Sequence, residues 1–258
     1  MASAPVLHIK DGIATITLNR PAQRNRLENE DLQTLLAHFQ QVNADLGVRV
    51  LVLTANTQGQ PKPVFCAGYD IGGFNEQGQG AMSFEQVPEA LAVLRPITLC
   101  ALNGSVYGGA TDLVLACDLR IASTQARMGL PEINLGVLAG AGGCTRLPRT
   151  VPAALAAEMI LTGQPINAQR CLEAGLVSRV VEPAALLDTV FDLAQTIAAR
   201  APKALRACTA LLRRPRFEEL NDALAQERQA FADLLLTQDA QVGIRAFTEK
   251  RPPVYRNA

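Results

Sequence analysis

The run VRVLVLT at residues 48–54 is apolar at nearly every position. A strand with one wet face alternates apolar and polar residues, so a strand without that alternation has to be covered on both faces. The segment therefore asks for a sheet sandwiched between layers, with helices to supply them. The flanking pattern provides both. Residues 6–9 and 13–18 are short β-rich runs joined by Asp11 and Gly12, a hairpin signal. Leu32, Leu35, Leu36, Phe39, Val42 and Leu46 then recur at helical spacing. A polar, Gly/Pro-rich loop is expected at 56–64, and four glycines mark a second loop at 72–80. Residues 83–94 read as a helix ended by Pro96. Residues 97–102 read as a strand, 103–104 as a turn, 109–116 as a helix and 119–122 as a strand. From Pro152 the pattern is mainly helical, interrupted by a short strand at 176–181 after Gly175, and three or four helices follow residue 184. No internal sequence repeat is evident. The alternation predicts an α/β unit followed by a helical appendage.

Composition narrows the function classes. Lys+Arg and Asp+Glu are both 24, a zero balance that argues against a nucleic-acid partner. No run of about 18 apolar residues suggests a membrane span. The start, MASAPVLH, lacks the charged and apolar regions of a signal peptide and reads as mature protein. Six cysteines without a CxxC pair suit reduced thiols in a cytoplasmic protein. His8 and His38 are the two imidazoles, too few for a His-rich metal site or an obvious Ser-His-Asp triad. We expect no metal. The stretch from Gly140 to Gly142 begins like a dinucleotide fingerprint, but Thr145 stands where the third glycine belongs and no clear strand precedes it.

Three segments carry candidate chemistry. In FCAGYDI at 65–71, a glycine at a strand exit permits unusual backbone geometry and could turn the Tyr69 amide toward a cleft. Taken alone, an ordinary turn explains it as well. In NGSVYGGATDL at 103–113, Gly108 and Gly109 open a helix whose first amides and dipole favour an anion. Asp112 follows in the first turn, where it could equally complement the dipole. In MGLPEINLG at 128–136, followed by VLAGAGG, Glu132 is an acid among apolar residues and glycines. Burial there would raise its pKa, though a capping role is also open.

Together, and in this order, the three segments resemble the crotonase, or enoyl-CoA hydratase/isomerase, superfamily. The resemblance runs from TLNRP at 17–21, through LTG at 161–163 and AGLVSR at 174–179, to AFTEKR at 246–251. It implies an α/β fold of the crotonase type: a spiral of ββα units over 1–195, with a C-terminal helical appendage over 196–258 that serves oligomerisation. The implied assembly is a homotrimer or a dimer of trimers, with Phe231 and Phe247 at subunit contacts. The implied substrate is an acyl-CoA thioester; coenzyme A is part of the substrate, and no separate cofactor is expected.

The resemblance also assigns roles. The backbone amides of Tyr69 and Gly109 form an oxyanion hole for a thioester enolate. Glu132 and Asp112 are the paired carboxyls that work on one water in a hydratase. Asp112 departs from the glutamate that hydratases carry there, and its carboxyl is set back by about one bond, ~1.5 Å. Aspartate at that place resembles the dienoyl-CoA isomerases, but their additional acid falls at Gly140, where hydratases also have glycine. A simple double-bond isomerase needs one carboxylate, which Glu132 supplies. Coenzyme A contacts carried over from the family fall on Arg24, Arg26, Ala67, Gly68, Asp70 and Ile71, with Phe231 and Lys250 at C-terminal positions that reach a neighbouring subunit's coenzyme A. For the exposed cations, a solvated surface role competes with this. The stretch at 72–94 is expected to line the acyl pocket. Enoyl-CoA hydration is thus the leading expectation. Isomerisation is the alternative; decarboxylation, thioester hydrolysis and a non-catalytic RNA-binding member of the fold are more distant ones.

Overall fold

The computed structural model of the protein describes residues 4–70, 84–200, 205, 208–209, 212–213, 220–251 and 253. The chain opens with the expected hairpin. Strands β1 (Val6–Lys10) and β2 (Ile13–Leu18) pair antiparallel around Asp11 and Gly12, both with positive φ. Helix α1 (Asn29–Ala44) follows. Its first turn is anchored by Asp31, whose carboxylate accepts the Glu28 N–H at 2.9 Å, and it buries Leu32, Leu35, Phe39 and Val42. Leu46, expected on that apolar stripe, lies beyond the helix and is 76% exposed.

From here the chain repeats one move. Strand β3 (Val50–Ala55) runs in a large sheet, β4 (Val64–Cys66) crosses into a small one, and helix α2 (Gln86–Ala92) returns. Next come β5 (Ile97–Leu102), β6 (Ser105–Tyr107) and helix α3 (Gly109–Leu115). Then β7 (Leu119–Ser123) and β8 (Arg127–Gly129) lead to a 3-10 turn at Pro131–Leu135 and helices α4 (Gly143–Arg146) and α5 (Ala153–Thr162). The large sheet has the order β1-β2-β3-β5-β7-β10 and the small one β4-β6-β8-β9, where β9 is Ile166–Asn167 and β10 is Arg179–Val181. First strands of each unit pair in parallel with one another, and so do second strands. The result is a spiral of ββα units, as expected.

The continuous apolar character of β3 has the predicted cause. Leu51, Leu53 and Ala55 face the main core with Leu35, Phe39, Phe65 and Leu113. Val50 and Val52 face the other way, against Leu186, Val190 and Ala194 of helix α7 (Leu186–Ala198). Every residue of β3 is buried.

Two readings of the sequence need correction. The strand expected at 176–181 covers only Arg179–Val181. Leu176 and Val177 instead donate their N–H groups to the Cys171 carbonyl, closing the end of helix α6 (Ala168–Glu173). Their apolar side chains are buried as a helix-cap contact, not as a strand. In addition, no separate strands were assigned at β6, β8 and β9, because two or three residues are too few to show a period.

The C-terminal part contains α8 (Leu220–Leu235) and α9 (Gln238–Thr248). Leu235 and Ala240 pack with Val137 in a small cluster apart from the main core, joined by Leu135 and Ile244. Arg228 of α8 also pairs with Glu89 of α2.

A further tie is Arg213, which donates to Asp118 through Nε at 2.8 Å and through its terminal nitrogen, and to the carbonyls of Leu94 and Pro96. Asp118 also accepts from the Thr98 N–H and hydroxyl, each at 2.8 Å. Burial alone would raise the Asp118 pKa, but the bonds and charge of Arg213 and the bonds from Thr98 hold it below the ordinary carboxylate value. The carboxylate is therefore favoured by the fold. Its contribution is complete above the unfolded value of ~3.9 and is lost as pH falls through the lower folded value. Asp118→Asn should cost about 3 kcal/mol, because it leaves the buried guanidinium without its counter-charge. Urea unfolding at neutral pH checks the loss. The variant should also lose less stability on acidification than the parent; equal acid slopes would contradict the coupling.

Candidate active site

The site begins with a loop that has no regular structure of its own. Asn25 is buried with φ 53°, and its side-chain amide donates to the carbonyls of Asn56 at 2.9 Å and Val64 at 3.2 Å. The Cys66 thiol donates to the Asn25 carbonyl at 2.9 Å. Burial, aided by Asp31, pushes that thiol up to about 12, so it stays protonated and acts as a donor in the scaffold. The segment after β4 is then pinned to the loop: Ala67 N–H to Arg24 O, Leu27 N–H to Gly68 O and Asp70 N–H to Leu27 O. Leu27 and Tyr69 thus form a parallel bridge. Such a bridge uses the amides flanking Tyr69, and directs the Tyr69 N–H to the opposite side. On that side lies the end of β6. A Cβ on Gly68 would stand 3.1 Å from the Tyr107 carbonyl oxygen.

The second segment turns sharply at Gly108, with φ 60° and ψ −142°, a conformation that glycine alone adopts without strain. Its N–H donates to Gly129 O at 3.1 Å, which aligns β6 and β8. Thr111 then donates its N–H to Gly108 O and its hydroxyl to Gly129 O. Helix α3 starts at Gly109, so the first turn leaves the Gly109 N–H without an intrahelical acceptor. Asp112 lies one turn on and is fully buried. Its carboxyl packs against α4; a Cβ on Gly143 would stand 2.6 Å from Oδ1.

The third segment follows β8. Pro131 starts the 3-10 turn, and Gly136, with φ 75°, ends it. Half-buried Glu132 extends from this turn toward the second segment. A Cβ on Gly108 would lie 3.3 Å from its Oε1. The three segments therefore leave the C-terminal ends of three neighbouring parallel strands, β4, β6 and β8.

They converge on one cavity of about 310 Å³. Arg26, Ala67, Gly68, Tyr69, Asp70, Gly109, Asp112 and Glu132 all line it. Arg26 pairs with Asp70 at 3.3 Å and with Glu28 at 2.9 Å. The Tyr69 hydroxyl donates to Asn29 at 2.6 Å, and its ring tilts against Phe84 with centroids 5.6 Å apart. Burial, then the nearby Asp70, raise the phenol's pKa and keep it protonated. Gly140 also lines the cavity, so the place where a third acid was considered presents no side chain.

Other candidates fall elsewhere. Arg24 and Lys250 are exposed, with left-handed φ values of 54° and 53°, and neither lines the cavity. Ile71 lies outside the described residues, as do the side chain of Phe231 and most of the 72–94 stretch expected to line the acyl pocket. From that stretch, Phe84 and Glu85 do line the cavity. Sequence reasoning missed the opposite, apolar wall, which includes Leu135, Val137, Leu138, Leu235 and Ile244. Phe247, expected at a subunit contact, borders this wall and is 60% exposed. The only signal was an amphipathic stripe, which looks the same whether it covers a core, a neighbour or a ligand.

Chemically, the cavity joins backbone donors, two carboxyls and an apolar wall. That set can polarise a carbonyl and move protons beside it. Among the described residues no cluster of three His, Cys, Asp or Glu could hold a metal, and no helix is long and apolar enough to cross a membrane.

Comparison with known proteins agrees with this architecture. The family model described as Enoyl-CoA hydratase/isomerase matches residues 8–258. The chain is 38% identical to 2,3-dehydroadipyl-CoA hydratase of Escherichia coli (strain K12) over 247 residues, 95% of each protein. It is 36% identical to (E)-benzylidenesuccinyl-CoA hydratase of Thauera aromatica over 258 residues, 98% of each. A solved structure of enoyl-CoA hydratase/isomerase from Pseudoalteromonas atlantica T6c superimposes with a TM-score of 0.89 at 29% identity, covering 98% of this chain and 100% of that one. With a spiral of ββα units and three strand ends meeting at one cavity, the chain belongs to the enoyl-CoA hydratase/isomerase family of the crotonase superfamily.

Proposed function

We propose that the protein is an enoyl-CoA hydratase. The observation that carries the reading is the meeting of Asp112, Glu132, Tyr69 and Gly109 at one cavity. In this reading the thioester oxygen of a 2-enoyl-CoA accepts hydrogen bonds from the Tyr69 and Gly109 amides. Asp112 and Glu132 hold one water between them. A water proton passes to a carboxylate as the oxygen bonds to Cβ, and the double-bond electrons move toward the thioester as an enolate. The two amides stabilise the oxygen that gains charge. A proton then returns to Cα, so that the elements of one water have been added and the carboxyls are restored. Arg26, Ala67, Gly68 and Asp70 of the cavity lining take the coenzyme A portion, and the apolar wall receives the acyl chain.

Relatives named as hydratases at 36–38% identity support this reading over isomerisation, as does glycine at position 140. The complete burial of Asp112 favours the second reading, a single-base double-bond isomerase relying on Glu132. Purified protein given crotonyl-CoA should bleach the enoyl-thioester absorbance and yield a product heavier by one water. Turnover of a 3-enoyl-CoA without hydration of crotonyl-CoA would replace the first reading with the second. We further propose a trimer or dimer of trimers built through the C-terminal helices, between which Leu236 is 72% exposed. Light scattering under assay conditions tests it, and a fully active monomer would overturn it.

A further inference from the structure

Helix α9 touches the turn that carries Glu132 backbone to backbone. A Cβ placed on Gly243 would stand 2.1 Å from the Leu135 carbonyl oxygen, 2.4 Å from its carbonyl carbon and 2.9 Å from its Cα. All three neighbours are main-chain atoms, so no side chain can swing aside to relieve them. Leu135 closes the same 3-10 turn in which Glu132 is the second residue. That turn is short and internally tied: Gly136 N–H donates to Ile133 O, and Val137 N–H to Glu132 O. It therefore moves as a unit. Gly243 is buried, and around the contact Ala240, Leu235 and Val137 make the small cluster that seats α9, with Leu135 packed on it.

We propose that Gly243 is a positioning residue. By admitting α9 to direct contact with Leu135, it sets the height of the Pro131–Leu135 turn and with it the placement of the Glu132 carboxyl against Gly108. This rests on the assignment of Glu132 as an acid–base group. Any side chain at 243 has to part the two backbones by at least about 1.3 Å to reach an ordinary contact. A displacement of that size at a reacting group costs up to ~100-fold in rate.

The test is a double-mutant cycle on crotonyl-CoA with Gly243→Ala and Glu132→Gln. Gly243→Ala alone should lower kcat by ~10- to 100-fold with KM changed less than about threefold. In the Glu132→Gln background the same change should cost almost nothing further, since the group it displaces is gone. Equal losses in both backgrounds would overturn the proposal. So would a raised KM at unchanged kcat, which would make α9 only a wall of the acyl site. If Gly243→Ala does not fold by circular dichroism, Ala240→Gly loosens the same seat without a clash and should show a smaller loss with the same dependence on Glu132; additive losses there also overturn the proposal. Failure of the wild type to hydrate crotonyl-CoA would overturn the hydratase reading together with this one, whereas an active wild type with an additive cycle would sink the positioning role alone.

Discussion

Glu132→Gln should lower hydration of crotonyl-CoA by at least ~100-fold. The substitution keeps the shape of the side chain beside Gly108 but removes its capacity to exchange a proton. Asp112→Asn should cost a similar factor if two carboxyls share one water, and far less if Glu132 works alone. Loss of enoyl-thioester absorbance, followed beside double-bond migration of a 3-enoyl-CoA, separates the two cases. Asp112→Glu supplies the longer acid that the family resemblance implies at this position and should leave hydration intact or raise it. Undiminished turnover of both substrates by Glu132→Gln would remove this cavity as the active site.

Gly109→Pro should abolish activity, with a loss of ~100- to 1000-fold from the missing donor alone. Proline has no N–H to offer the thioester oxygen. It also adds bulk where the Phe84 ring already crowds the backbone, since a Cβ at 109 would stand 2.4 Å from Phe84 Cε1. The two causes can be parted by removing the ring. In a Phe84→Ala background, Gly109→Ala should recover measurable turnover because it keeps its amide, while Gly109→Pro should remain inactive. Recovery of the proline variant in that background would show that crowding, not the donor, matters at this position.

The candidate segments were legible as an ordered set, through their resemblance to the family; taken singly, each had an ordinary structural explanation. Gly108 adopts a backbone conformation closed to other residues, and Asp112 places a carboxyl in the core. The doubly covered strand β3 was legible from its own residues, since a β-rich run without alternation reads most naturally as a strand buried on both faces. What was hidden lies in tertiary packing. Strands β4, β6 and β8 have three residues each, below the length at which a period can be read. The apolar wall draws Val137 from a glycine-rich stretch and Leu235 and Ile244 from helices about a hundred residues later; nothing in their spacing says what they face. Leu176 was misread because an apolar residue after a helix-ending glycine packs equally well as a cap or as a strand.

The three strand ends that converge on the cavity belong to consecutive coils of the spiral. Each coil brings candidate groups to the same cavity: Tyr69 from the first, Gly109 and Asp112 from the second, Glu132 from the third. The coils are tied by main-chain bonds such as Gly108 N–H to Gly129 O, which do not depend on side-chain identity. A side chain that one coil points into the cavity, such as that of Asp112 or Glu132, can therefore be exchanged while these bonds hold the other coils in line. A scaffold of this kind behaves as a frame with interchangeable tools: what one coil offers to the cavity can change while the others stay aligned.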